Sequence, residues 1–170
     1  HMRELLTLQQ EAHPALRFDL VTPQSGLRAE IDAQQFRQAF TNIIQNAIDS
    51  LQGFQAENPD FAGHIKISAA PAGSEGTIAI AVSDNGPGFP RDIDPAQLTE
   101  PYVTRRAKGT GLGLAIVKKI MEDHKGRLIL GAPEWLRVRA GAEILPGATV
   151  VMILPVNQAD TTPVKNAEAA

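Results

Sequence analysis

Residues Glu100–Gly126 read EPYVTRRAKGTGLGLAIVKKIMEDHKG, and the order of residue types along them organises the rest of the chain. A polar, cationic loop tightens into Gly109-Thr110-Gly111-Leu112-Gly113 and runs without a break into an amphipathic helix ending near His124 and Gly126. Three glycines at alternate positions carry no Cβ, so the backbone there can approach a ligand closely and adopt positive φ. The first turn of the helix offers unpaired N–H groups and a positive dipole end, a place for an anion and above all for phosphate.

Upstream of this stretch, Thr77 to Ser83 reads as a strand and runs into Asp84-Asn85-Gly86-Pro87-Gly88-Phe89-Pro90, a turn with two glycines and two prolines at a strand end. His64 to Ala70 reads as the partner strand of a hairpin closed by 71–76, and 91–98 as one or two short helical turns. Further back, Phe36, Phe40, Ile43, Ile44, Ala47 and Leu51 recur at helical spacing, with Asp32 three residues before Gln35 as a capping pair and the loop 53–63 as the stop. Asn42, Asn46 and Asp49 fall at i, i+4 and i+7, one polar ridge on an otherwise apolar helix. Two asparagines a turn apart in mid-helix lose local stability for no structural return, which favours a site over a solvated stripe.

At the N-terminus, Leu5, Leu6 and Leu8 suit a helix ended by His13-Pro14, followed by strands at Arg17–Val21 and 27–31 around a turn at 22–26. Downstream, 127–131 reads as a strand, 132–146 as an irregular segment holding the only tryptophan, and 147–155 as a buried strand. The polar tail from 156 onward is expected to be disordered. With 170 residues and 43% hydrophobic content, one core is expected. A net charge of −3 argues against a general nucleic-acid surface. The absence of cysteine excludes disulfides and thiolate chemistry. No apolar run reaches the ~20 residues of a membrane span. His13, His64 and His124 read as packing or surface residues, since none sits in a recognisable acid–base pattern.

Each motif alone also reads as ordinary turn, solvated ridge or cationic surface. The ordered set NIIQNAIDS, DNGPGF, GTGLGLAIVKKI and GATVVMILP resembles the ATP-binding catalytic domain of two-component sensor histidine kinases, of the Bergerat-fold ATPase superfamily, over roughly 16–156. The wording of PYVTRRAKGTGLGLAIVKKIMEDH looks most like nitrogen-regulation kinases of the NtrY type. The glycines do not follow G-x-G-x-x-G, and no G-x-x-x-x-G-K-[ST] occurs, so neither a dinucleotide fold nor a P-loop competes.

The resemblance implies an α/β two-layer sandwich, a mixed sheet of about five strands with about three helices on one face, and nucleotide away from the bare sheet face. It implies ATP and Mg²⁺ as ligands, with Asn46 coordinating the metal and Asn42 beside the phosphates. Asp84 would accept from the adenine amino group, Gly86 and Gly88 would let the backbone pass close to the base, and Thr149 would support the adenine end. Gly109, Gly111 and Gly113 would form the phosphate-side loop, with Leu112 and Leu114 packing the helix inward. Tyr102, Thr104, Arg105, Arg106, Lys108 and Thr110 would belong to a mobile lid. Asp49 stands where some relatives carry lysine or arginine and is left out of the site.

The partners implied are a dimerisation domain bearing the phosphoacceptor histidine and a response regulator, in a homodimeric cytoplasmic kinase, with no nucleic acid and no membrane contact by this segment. Residues 1–14 would be the remnant of the upstream helical region, 15–156 the catalytic domain and 157–170 a tail. Two other readings of the same fold are a nucleotide-sensing module without kinase activity and an anti-sigma-factor serine kinase. True ATPases of the superfamily carry a glutamate one turn before the metal asparagine; this chain has Asn42 there, so little hydrolysis is expected.

Overall fold

The computed structural model describes residues 2–23, 29–72, 76–103, 111–139 and 144–156. Five strands, β1 Arg17–Val21, β2 His64–Pro71, β3 Thr77–Asp84, β4 Arg127–Leu130 and β5 Thr149–Pro155, form one sheet in the order β1-β2-β3-β5-β4. β1 and β2 are parallel and the other pairs antiparallel, so the sheet is mixed as expected. A parallel pair needs a long crossover, and the 25-residue helix α2, Ala33–Glu57, supplies it.

Strand alternation sorts side chains to two faces. Ile65, Ile67, Ile78, Ile80, Val82, Val150, Met152 and Leu154 face the helices and join Phe40, Ile43, Ile44, Ile48 and Leu51 of α2 in the main core. Helix α3, Gly113–Asp123, adds Val117, Ile120 and Met121 to it. Helix α1, Met2–Ala12, inserts Leu5 and Leu6 into the same core. His13-Pro14 does end α1, and Leu16 behind it is buried against Gly63.

The opposite sheet face is not bare. Ala79, Ala81, Val151 and Ile153 carry a second cluster closed by Leu136, with Trp135 and Ile144 packed against it. Leu136 and Trp135 belong to a six-residue helix, α4 Glu134–Arg139, inside the segment expected to be irregular. Alanines at 79 and 81 keep that face low enough for a short helix to lie on it. The tryptophan thus has a packing role.

Three further expectations change. α2 does not stop at Gly53 but runs to Glu57, where Asn58 caps it by donating from its backbone N–H and its Nδ2 to Phe54 O. Phe54 in that extra turn meets Phe61 edge-on at 4.8 Å between ring centroids, which holds the chain beyond the glycine in register. Residues 29–31, expected to end a strand, are not strand; Ala29 and Ile31 pack against the core and a single bond joins Glu30 N–H to Pro155 O. The helical turns expected at 91–98 reduce to a 3-10 turn at Gln97–Thr99. Among the described residues no helix is long and apolar enough to cross a membrane. The expected turn tip at 24–26 and the tail from 157 lie outside the described residues.

Candidate functional site

β3 ends on Asp84, whose side chain is buried at 3% exposure although no strand partner demands a carboxylate there. The strand's last residue is gripped from both flanks. On one side its N–H donates to Ala148 O at 3.0 Å and its carbonyl accepts from Gly147 N–H at 2.8 Å. Its Oδ1 accepts from Gly86 N–H at 2.9 Å and from Ala148 N–H at 3.1 Å, so one carboxylate oxygen is fixed and the plane of the group is set. On the other side Asn85 holds the start of β2: its Oδ1 accepts from His64 N–H at 2.7 Å, its Nδ2 donates to Ala62 O at 2.9 Å, and its own N–H donates to His64 O at 3.1 Å. A buried carboxylate so oriented is a hydrogen-bond acceptor aimed at a donor.

Glycines shape the space beside it. Gly88 has φ +84° and faces Gly147 across an ordinary contact distance of 3.8 Å. A side chain on Gly147 would strike Asp84 Oδ1 and lie 2.6 Å from Asp84 O and 2.7 Å from Gly86 N. Gly86 is close to Asp84 Oδ1, to Leu51 and to Ser50 Oγ of α2. Asp84, Gly86, Gly88 and Gly147 are therefore one structural unit. Thr149 is not part of it. It is buried and pairs with Ser83, and alternation sets it with Val151 and Ile153 on the α4 side. The loop before β5 meets Asp84 through the backbone of Gly147 and Ala148 instead, and Thr149 stands one residue out of register for the role expected of it.

The second unit lies where α2 meets α3. Asn46 Nδ2 is 3.4 Å from where a Cβ on Gly113 would sit, so the amide packs on the first residue of α3, and glycine is what permits that approach. α3, with Leu112 as its N-cap residue, starts without a side-chain cap and without an acidic residue in its first turn. One turn before Asn46, the Nδ2 of Asn42 is buried with no hydrogen-bond partner among the described residues. An orphaned buried amide is a cost of roughly 1–3 kcal/mol unless something satisfies it. Leu114 packs into the main core, as expected, while Leu112 is half-buried at the helix start.

Tyr102 is 77% exposed, with φ +67°, and its N–H donates to Gly111 O at 3.0 Å. Gly111, also at φ +67°, could not carry a side chain, which would lie 2.6 Å from Tyr102 C. This pins the two ends of the expected lid to each other. Thr104, Arg105, Arg106, Lys108, Gly109 and Thr110, with their expected mobility, lie outside the described residues.

Ser50 was not a candidate from sequence. The available signal was its spacing, the same four-residue step beyond Asn46 that separates Asn46 from Asn42. The histidines take structural parts. His124 Nδ1 bonds Ile120 O at 2.8 Å while its Nε2 accepts from Asp32 N–H at 3.1 Å, tying the end of α3 to the cap of α2. His64 Nε2 bonds Asp19 Oδ2 at 2.9 Å, and Arg17 grips the same carboxylate at 2.8 and 3.2 Å. Burial works against ionisation of Asp19, but these hydrogen bonds and charges prevail and hold its carboxyl below the usual value. Asp32 accepts from Gln35 N–H at 2.8 Å, the expected cap.

No cluster of three or more His, Cys, Asp or Glu side chains able to hold a metal occurs among the described residues. The two amides of Asn42 and Asn46 are neutral oxygen donors, too few to cage a cation, but suited to one that keeps waters and shares phosphate oxygens.

The family model described as histidine kinase-, DNA gyrase B-, and HSP90-like ATPase matches residues 31–158. The nitrogen regulation protein NtrY of Azorhizobium caulinodans is 41% identical over 149 residues, 84% of this chain and 18% of that protein. The sensory histidine kinase/phosphatase NtrB of Rhodobacter capsulatus is 35% identical over 130 residues, 74% of this chain and 33% of NtrB. The catalytic domain of histidine kinase ThkA, in a nucleotide-free form, matches with a TM-score of 0.69 at 27% identity, over 91% of this chain and 89% of that one. The chain thus spans less than a fifth of NtrY.

Proposed function

Given that the chain belongs to the histidine kinase-, DNA gyrase B- and HSP90-like ATPase family, we propose that it is the ATP-binding catalytic domain of a sensor histidine kinase. It binds Mg-ATP and presents the γ-phosphoryl to a histidine on a separate dimerisation domain, for relay to an aspartate of a response regulator. The carrying observation is the Asp84 turn, a buried carboxylate with one oxygen held by backbone N–H groups and flanked by glycines at positions where a side chain would crowd it. Asp84 accepts from the exocyclic amine of adenine, and Gly86 and Gly88 line the base.

The triphosphate runs from there along α2 to the uncapped start of α3. Asn46, packed against Gly113, would hold Mg²⁺, and the buried Nδ2 of Asn42 would donate at the phosphate end. The cation, when bound, neutralises phosphate charge. The chain's part in transfer is positioning: α3's N-terminal N–H groups orient the phosphates, and the Asp84 turn fixes the nucleotide's other end. With Asn42 in place of a carboxylate, no side chain at that turn can take a proton from water, so the γ-phosphoryl is kept for a protein acceptor. The lid residues 102–110 supply the cations that cover the phosphates. Residues 15–156 form the catalytic unit, and the preceding helix leads from the acceptor domain. In the whole, homodimeric kinase this domain works on the cytoplasmic side, where ATP and a response regulator are found.

The test has two arms. Thermal denaturation with millimolar ADP or a non-hydrolysable ATP analogue, with and without Mg²⁺, raises the melting temperature, more so with the metal, because a ligand bound only by the folded state stabilises it. A supplied acceptor domain is phosphorylated in trans from ATP, and Asn46→Ala abolishes this. Rapid ATP turnover without acceptor, lost on Asn42→Ala, would overturn the assignment.

A further inference from the structure

Adenine presents two adjacent groups on its recognition edge, the 6-amino donor and the N1 acceptor. The carboxylate of Asp84 answers the first and cannot answer the second. N1 calls for a donor, and the five N–H groups nearest the Asp84 carboxylate are already engaged. Asp84 N–H goes to Ala148 O, Asn85 N–H to His64 O, Gly147 N–H to Asp84 O, and the N–H groups of Gly86 and Ala148 both to Asp84 Oδ1. The Asn85 side-chain amide is engaged with Ala62 O.

Ser50 meets the need. It lies on α2 one turn beyond Asn46, and its Oγ is 3.6 Å from where a Cβ on Gly86 would sit, a point that is 3.1 Å from Asp84 Oδ1. Carboxylate and hydroxyl thus converge on Gly86, which has no side chain to stand between them. Ser50 is half-buried and has no hydrogen-bond partner among the described residues. Serine in a helix interior is a weak helix former, and its usual recourse is to bond back to the carbonyl four residues earlier. Here it does not, so the hydroxyl is kept for something outside the protein.

We propose that Ser50 is a second base-reading residue, whose hydroxyl donates to N1 of adenine, directly or through one water, while Asp84 accepts from the 6-amino group. This rests on the nucleotide-binding reading above. It makes the ridge Asn42, Asn46, Ser50 a ruler along α2 with its phosphate end at Asn42 and its base end at Ser50.

The test is a cycle between protein and ligand, by calorimetric titration of wild type and Ser50→Ala with ADP and with 1-deaza-ADP, in which a C–H replaces N1. Wild type binds ADP about five- to tenfold more tightly than 1-deaza-ADP, the worth of one net hydrogen bond. Ser50→Ala binds both with the affinity that wild type shows for 1-deaza-ADP, and its melting temperature is unchanged or raised, alanine being the better helix former. A Ser50→Ala protein that still prefers ADP, or that loses affinity equally for both ligands, overturns the assignment, as does a wild type that does not tell them apart. Failure of wild type to bind either nucleotide sinks the nucleotide reading itself and this inference with it.

Discussion

Gly147→Ala adds one methyl group at the point where three strands' worth of contacts converge on Asp84. Gly147 does not have a positive φ, so the substitution tests space and not backbone conformation. The new carbon would press on Asp84 Oδ1 and lie 2.6 Å from Asp84 O and 2.7 Å from Gly86 N, where ordinary contacts begin at 3.4 Å. The neighbours are main chain and a doubly bonded carboxylate, none of which can swing away. The loop must therefore retreat by well over half an ångström. That strains or breaks the bonds from Gly147 N–H to Asp84 O and from Ala148 N–H to Asp84 Oδ1.

Overpacking costs about 1–3 kcal/mol, and each weakened bond about 0.5–1.5 kcal/mol more. The sum is about 2–6 kcal/mol, or roughly 4–24 °C in melting temperature for a domain of this size. Affinity for ADP falls at least about tenfold if the displaced carboxylate is the base acceptor proposed above. Gly53→Ala is the matched control: Gly53 lies inside α2 with nothing within 4 Å of an added Cβ, so the same change there raises stability by about 0.5–1 kcal/mol. Scanning calorimetry and calorimetric titration read both variants. A Gly147→Ala protein that melts within a degree of wild type and binds ADP equally well refutes the reasoning about how this turn is built.

Two more outcomes follow from the frame. α3 ends in a Schellman arrangement, with Gly126 N–H bonded to Met121 O and Lys125 N–H to Glu122 O, yet the left-handed position at φ +55° is Lys125 and not glycine. Lys125→Gly relieves about 1 kcal/mol of left-handed strain, part of which the freer unfolded chain takes back, and raises the melting temperature by about 1–3 °C; a drop on calorimetry would show that the lysine side chain does more than cap. Asp19 is held below its ordinary value by Arg17 and His64 against the effect of burial. A depressed carboxyl contributes stability above the unfolded value, lost as pH falls through the folded one. The stability gap between wild type and Asp19→Asn, from urea titrations, therefore narrows below about pH 4; a gap constant down to pH 2 would exclude this linkage.

The sequence made legible those elements whose pattern is dictated by one partner. β1 shows at Arg17–Val21 because alternating residues face core and solvent, and the Asn42, Asn46 ridge shows because polar residues recur on one helical face. What was hidden depended on distant packing. Gly53 looks like a helix stop but sits on an open face of α2, where a missing side chain costs little against the Phe54 and Phe61 contact beyond it. Residues 29–31 alternate like a strand because Ala29 and Ile31 reach the core from a loop. α4 is too short to show a period, and only its seat on Ala79 and Ala81 makes it helical. Thr149 was chosen for its hydroxyl, yet strand register decides which way a residue points, and register was not visible.

His124 carries no chemistry, yet it helps to set the spacing within the site. With one ring nitrogen on Ile120 O and the other on Asp32 N–H, it moors the tail of α3 to the head of α2, while Gly126 lies so close to Ile153 that no other residue fits there. At the other end Gly113 lies against Asn46. α3 is thus a bar fastened at both ends to α2, its antiparallel neighbour. The spacing between Asn46 and the start of α3 is therefore set by two moorings that lie far apart along the helix, and a change at either one is felt at the other.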